Sequence, residues 1–198
     1  MSSMKPAVLA PGLLLAAPRL GDPNFERSVV LLGHHDENGA LGWVLNGRPL
    51  VAVRELLKEA DLVPAGVSLP ETESFSHHAR IGGPVMPGSA WVLFRRGEAT
   101  QGYAGEHDLG GEYAVTAARE AVEAIARGEG PTEFRLYLGY AGWGPQQLEG
   151  EIRAGAWLPA TLDPELLMAT KSEELWEAAY RSAGASAIGF MAPTRGSA

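Results

Sequence analysis

The chain has 198 residues, 45% apolar and 20% charged, enough to bury one core and too mixed in character for disorder. Sixteen basic against 24 acidic residues give a net charge of -8, which repels phosphate backbones and anionic membranes at long range. With no cysteine, disulfides, thiolate metal sites and a cysteine nucleophile are excluded.

Met1 to Ala17 holds one lysine and the run AVLAPGLLLAA, which superficially resembles a secretory leader. Pro11 and Gly12 break that run, so GLLLAAP reads as a strand entering a turn. No other run approaches the roughly 18 apolar residues of a membrane span. Further strands are predicted over 28–33 and 42–45, with a hairpin connection over 34–39. A helix follows over 51–60, where Val53, Leu56, Leu57 and Ala60 share a face, and 63–76 reads as a loop.

Strands over 79–82 and 90–94 come next, joined by GPVMPGS. Residues 112–127 carry the strongest helical stripe, Ala114, Ala118, Ala121, Val122 and Ile125, closed by Gly128 and Gly130. A strand over 134–139 leads into a glycine-rich turn. Pro145 then opens a helix to about Arg153, with Leu148 and Ile152 paired on one side. A strand over 157–160, a helical turn over 164–168 and a helix over 173–182 complete the chain, with Thr170 and Glu173 spaced as a capping box and Gly184 at the end. Strands crowd the first two thirds and helices punctuate them irregularly, which predicts an α+β fold with a mixed sheet, in a single domain over 1–198.

The five histidines fall in three places: His34 and His35 before Asp36, His77 with His78, and His107 before Asp108. Neighbouring histidines on an extended chain face opposite ways and no H-E-x-x-H is present, so they read as polar loop residues and no metal is assigned. The G-x-S-x-G nucleophile elbow and the P-loop are both absent, and no catalytic residue or cofactor is assigned. Gly139, Gly142 and Gly144 precede a helix with spacing G-x-x-G-x-G, not the dinucleotide pattern. The segment is either an anion-facing turn or a structural turn that seats Trp143. On the following helix Gln147 and Glu151 share a face that Glu149 does not, and Glu149 stands four residues before Arg153, an ion-pair spacing.

Four blocks in order resemble one family. They are GLLLAAPRLGDPNFERSVVLLGHHDENGALGWVLNGRP, IGGPV, GYAGWGPQQLEGEIRAGAWL and LWEAAY. The chain resembles the AlgH/YqgE family of uncharacterised bacterial proteins. Two departures stand out: Gly47 is inserted before Arg48 and Pro49, and Phe94 stands where the family often has a histidine.

The resemblance implies a compact mixed α/β fold with a partly barrel-like, bifurcated sheet surrounded by helices, and a cytoplasmic location. It brings no catalytic site. The family name and the resolvase-like nuclease genes that often neighbour it imply regulation or partner binding. The leading expectation is therefore a non-enzymatic regulatory module with a protein partner, no membrane and no direct nucleic-acid contact. The alternative is a small-molecule-binding protein or enzyme whose pocket gathers His35, Asn46, Gly82, Gly83, Gly142, Trp143 and Gln147 at strand ends.

Overall fold

The structure, a computed structural model, describes residues 9–97, 102–168 and 171–185. The chain begins with β1 (Gly12–Ala16), β2 (Val29–Asp36) and β3 (Gly39–Val44), an antiparallel meander. The β2 and β3 strands are longer than the apolar runs suggest. Asp36 pairs with Gly39, so the turn shrinks to Glu37 and Asn38, held by an Asn38 N–H bond to the Asp36 carboxylate at 2.7 Å. Then follow β4 (Pro49–Ala52), α1 (Val53–Glu59), the single turn α2 (Glu73–Ser76), β5 (His78–Ile81) and β6 (Val85–Arg95). The helix expected from residue 51 starts two residues later because β4 pairs with β5 first.

After β7 (His107–Asp108) come β8 (Tyr113–Thr116) and α3 (Arg119–Ala126). The long helix expected over 112–127 is thus half strand. Val115 pairs with Leu93 and Ala114 with Phe94, so cross-strand burial takes the segment before any helix can use it. The strand β9 (Phe134–Trp143) is followed by α4 (Gln147–Arg153), β10 (Trp157–Ala160), α5 (Pro164–Leu167) and α6 (Ser172–Ser182). Pro145 lies in the turn before α4, not in its first position. The capping box proposed for α6 involves Thr170, which lies outside the described residues; the residue before the helix is Lys171.

Among the described residues ten strands form one sheet in the order β10-β1-β2-β3-β9-β6-β8-β7, with β4 and β5 beside this path. The fork is at β9. One edge of β9 pairs with β6, while the other meets β5 in parallel at Tyr137 and Leu138 and β3 antiparallel at Ala141 to Trp143. The sheet is mixed and bifurcated, and it does not close.

Both faces of the β1–β2–β3 arm are covered, which is why β1 and β2 read as unbroken apolar runs instead of alternating ones. Leu13, Leu15, Val29 and Leu31 meet Leu175, Trp176, Ala179 and Tyr180 of α6, together with Tyr137 of β9. On the opposite face Leu14, Ala16, Val30 and Leu32 meet Leu148 of α4, Ala141 and Trp143 of β9, and Trp157. Helices α1 and α3 and the turn α2 cover the other arm through Val53, Leu57, Phe75, Ala121 and Ile125, packed on Phe134 and Leu136 of β9. Each fully buried leucine contributes about 2 kcal/mol by leaving water. Helix α6 is further pinned by two hydrogen bonds onto one acceptor: the Trp176 indole and the Tyr180 hydroxyl both donate to the Ala16 carbonyl, at 2.9 and 3.0 Å.

Candidate functional site

The glycine-rich segment is not one turn. Strand β9 runs through Gly139 and Gly142 and ends at Trp143. Gly139 has φ of +72°, and a Cβ there would overlap the Gly83 carbonyl oxygen; Gly83 has φ of +156°, and its Cβ would overlap the Tyr140 carbonyl carbon. These glycines let two backbones touch, a packing role. The true turn is Gly144 to Gln146, with Gln146 left-handed at φ of +62°. Its Gly144 N–H donates to the Gln147 side-chain oxygen at 3.0 Å, so an internal acceptor takes a donor that an anion would need.

The same side chain reaches further. Gln147 Nε2 donates to Glu151 Oε1 at 2.9 Å, while the indole N–H groups of Trp143 and Trp157 both donate to Glu151 Oε2, at 2.9 and 2.8 Å. Phe25 closes the cluster, edge-on to Trp157 with ring centroids 5.5 Å apart. Trp143 is 7% exposed. One carboxylate thus holds two indoles in a partly buried setting, where charge-assisted bonds are strong.

Glu149 faces elsewhere. Its carboxylate lies 3.0 Å from Nε2 of His35, whose side chain is 3% exposed. The ion pair expected with Arg153 does not form; Arg153 bonds the Glu149 backbone carbonyl instead. The Leu9 N–H donates to His35 Nδ1 at 3.4 Å, which assigns the proton to Nε2 and makes the ring a donor to Glu149. Asn46 is also occupied by its own fold, accepting from Val29 N–H and donating to the Arg27 carbonyl, both at 2.9 Å.

The residues singled out from the sequence therefore do not converge on one cavity. Asn46 lines one groove, Gly83 a second, and Gly142 with Trp143 a third. Gly82 is in the backbone network, its N–H donating to the Leu138 carbonyl and its carbonyl accepting from Val44 N–H. His35 and Gln147 are bound to Glu149 and Glu151. Among the described residues no three histidine or carboxylate side chains are grouped to hold a metal ion. His34 instead approaches Asp36 at 3.1 Å, and His107 stacks edge-on against Trp43.

Two grooves meet at Gly47 and Arg48. The first, about 340 Å³, is lined by Arg27, Arg48, Arg80, Ser172, Trp176 and others. The second, about 390 Å³, is lined by Arg48, Pro23, Pro84, Pro87, Ile81 and Gly83 among others. Arg80 is half-buried and donates to the Gly47 carbonyl at 2.8 Å; burial lowers its pKa from the ordinary arginine value. Arg27 pairs with Glu177 at 2.9 Å and lies over the Trp176 ring at 4.5 Å. Met86, beside the second groove, is 63% exposed and left-handed at φ of +46°, on the stretch where the β6–β9 register slips. Arg27 and Arg48 fall within the first family block, but nothing in the sequence joins them to Arg80 and Ser172; the fold brings these four to one groove.

The family model described as DUF179, AlgH-like, matches residues 13–187. The chain belongs to the AlgH-like family. A UPF0301 protein of Anaeromyxobacter sp. (strain K) is 40% identical over 190 residues, covering 94% of this chain and 93% of that protein. A UPF0301 protein of Ruegeria pomeroyi is 36% identical over 179 residues, covering 89% and 92%. The solution structure of the AlgH protein from Pseudomonas aeruginosa superposes with a TM-score of 0.70 at 33% identity, covering all of both chains. The crystal structure of protein DIP2367 from Corynebacterium diphtheriae gives 0.67 at 26% identity, covering 92% of this chain and 90% of that one.

Gly47 and Phe94 of this AlgH-like chain each have a local physical reason. At Gly47 a Cβ would overlap the Ile81 carbonyl oxygen, so the inserted residue lets β5 approach while its own carbonyl receives Arg80. Phe94 is fully buried, edge-on to Tyr103 at 5.5 Å, and fills core space where a histidine would need a polar partner.

Proposed function

We propose that this AlgH-like chain is a non-enzymatic regulatory module that acts by binding a protein partner. The observation that carries this reading is Met86, an exposed, adaptable thioether held on a bulge beside a groove with walls of Pro23, Pro84 and Pro87. Arg48 borders that groove, is exposed, and makes no ion pair among the described residues. The complementary partner is a protein segment that lays an apolar side chain against Met86 and the prolines and offers a carboxylate to Arg48.

The acid and base groups most suggestive of catalysis, Glu149, Glu151 and His35, are already committed to internal hydrogen bonds, which favours binding over turnover. The pocket imagined around His35, Asn46, Gly83 and the Gly142 to Gln147 segment has less support, since its members line separate grooves or bond to the fold. The net charge of -8 disfavours nucleic acid as the partner. Among the described residues no helix is long and apolar enough to cross a membrane. The reading takes the cytoplasm as the place of action, which a cysteine-free chain suits.

A photocrosslinking residue at position 86, used in native extract, tests this. One protein should be captured, and the purified pair should bind at least about tenfold more weakly when Met86→Asp or Arg48→Glu is introduced. Equal binding by both variants, or capture of nothing, would overturn the reading.

A further inference from the structure

We infer that the groove between Arg27, Arg48 and Arg80 binds a phosphate-type oxyanion, with Ser172 and the amino end of α6 as its floor. The inference shares Arg48 with the docking face around Met86 and rests otherwise on Arg80 and Ser172, which line the first groove and not the second. Three guanidinium groups from three chain segments line this groove: the turn before β2, the segment before β4, and β5 itself. Arg80 is the most telling of them. It is half-buried, its guanidinium donates to the Gly47 backbone carbonyl, and no carboxylate lies within ion-pair distance among the described residues.

Ser172 supplies the second, independent observation. It is 5% exposed, lines the same groove, and its buried Oγ has no hydrogen-bond partner. A buried hydroxyl is normally paired. Ser172 is also the first residue of an eleven-residue helix, and Lys171 before it makes no side-chain cap. The positive end of the helix dipole thus lies at Ser172 and Glu173, the two residues of α6's first turn that line the groove.

Glu26 and Glu173 line the groove as well and Glu177 neutralises Arg27, so three guanidiniums meet three carboxylates and the attraction falls to Arg48 and Arg80, which have no carboxylate partner among the described residues. The carboxylates weaken attraction for any anion, yet a neutral groove stands out on a chain whose net charge is -8. Donors arriving from three segments match a tetrahedral oxyanion, which offers acceptors on several sides, better than a planar carboxylate, which one fork satisfies.

The test is a titration of the isotope-labelled full chain with inorganic phosphate at pH 7.5 and constant ionic strength, followed by backbone amide and arginine Nε resonances. Saturable shifts are expected at Ser172, Glu173 and Arg80. Ser172→Ala, which removes a hydroxyl that the fold leaves unpaired, should weaken binding about tenfold without lowering the unfolding temperature, and Arg48→Gln should do the same. Arg119→Gln, on an exposed helix elsewhere, should leave binding unchanged. Parallel titrations with methyl phosphate separate the sources: equal or tighter binding identifies a phosphomonoester, and weaker binding identifies free phosphate. Linear, unsaturated shifts, binding indifferent to both site variants, or acetate binding as tightly as phosphate would each overturn the inference.

Discussion

The buried His35 ring and the partly exposed Glu149 carboxylate form a hydrogen bond of 3.0 Å between strand β2 and helix α4, with the ring oriented by the Leu9 N–H on its other side. The Glu149 backbone N–H first, and the His35 ring next, hold its carboxyl below the ordinary value of 4.5. A carboxylate whose folded pKa is depressed contributes stability above its unfolded value, and that contribution is lost as pH falls through the folded value. Glu149→Gln should cost about 1 kcal/mol at neutral pH, and the gap from the parent should close as pH falls through the lowered folded value. Urea unfolding at a series of pH values checks this; a gap independent of pH would contradict it.

Glu151 is the acceptor for two indoles, so its removal strands two donors at once. Glu151→Ala should destabilise by about 3 kcal/mol and shift tryptophan emission, whereas Glu151→Gln, which keeps an oxygen in place, should cost less than half as much. Denaturant titration monitored by fluorescence distinguishes the two.

The strands with short apolar runs between glycine and proline, such as β1 and β10, are legible in the sequence because both flanks punctuate them. Strand β8 is not, because Tyr113 to Thr116 fits a helical stripe as well as a strand and only pairing with Leu93 and Phe94 decides. Gly142, beyond the strand predicted over 134–139, points to a turn in the one-dimensional reading. It stays in β9 because Ala141, Gly142 and Trp143 pair with Gly42, Leu41 and Ala40 of β3, a partner invisible until the two strands are placed side by side. The same limit applies to function. Glu149 has an obvious partner in Arg153 along the helix, and loses it to His35 across space. Arg27, Arg48, Arg80 and Ser172 have no spacing in common, so nothing in the chain order announces their groove.

His77 has a pKa lowered from 6.5 to about 4, chiefly by burial and then by Arg135 and Arg80. The unfolded chain therefore binds more protons than the native one between these values, and stability falls as pH drops from about 6.5 to 4. Because the ring is only half-buried, solvent screening reduces the effect to about 1–2 kcal/mol. His77→Gln should flatten this part of the pH–stability profile, as measured by thermal unfolding.

Two glycines offer a contrasting pair. Gly83→Ala forces a methyl into the Tyr140 backbone at a positive φ and should destabilise by about 3 kcal/mol. Gly150→Ala, inside α4 with nothing within 4 Å of the new methyl, should stabilise by up to about 1 kcal/mol. Parallel melting curves read both.

Strand β9 gives Tyr137 to one buried cluster, Phe134 and Leu136 to a second, and Ala141 and Trp143 to a third. No cluster can loosen without releasing side chains from that shared strand, so the two arms of the forked sheet are thermodynamically coupled and unfold as one cooperative unit. The amide protons of β9 should then exchange only through global opening, the slowest in the molecule.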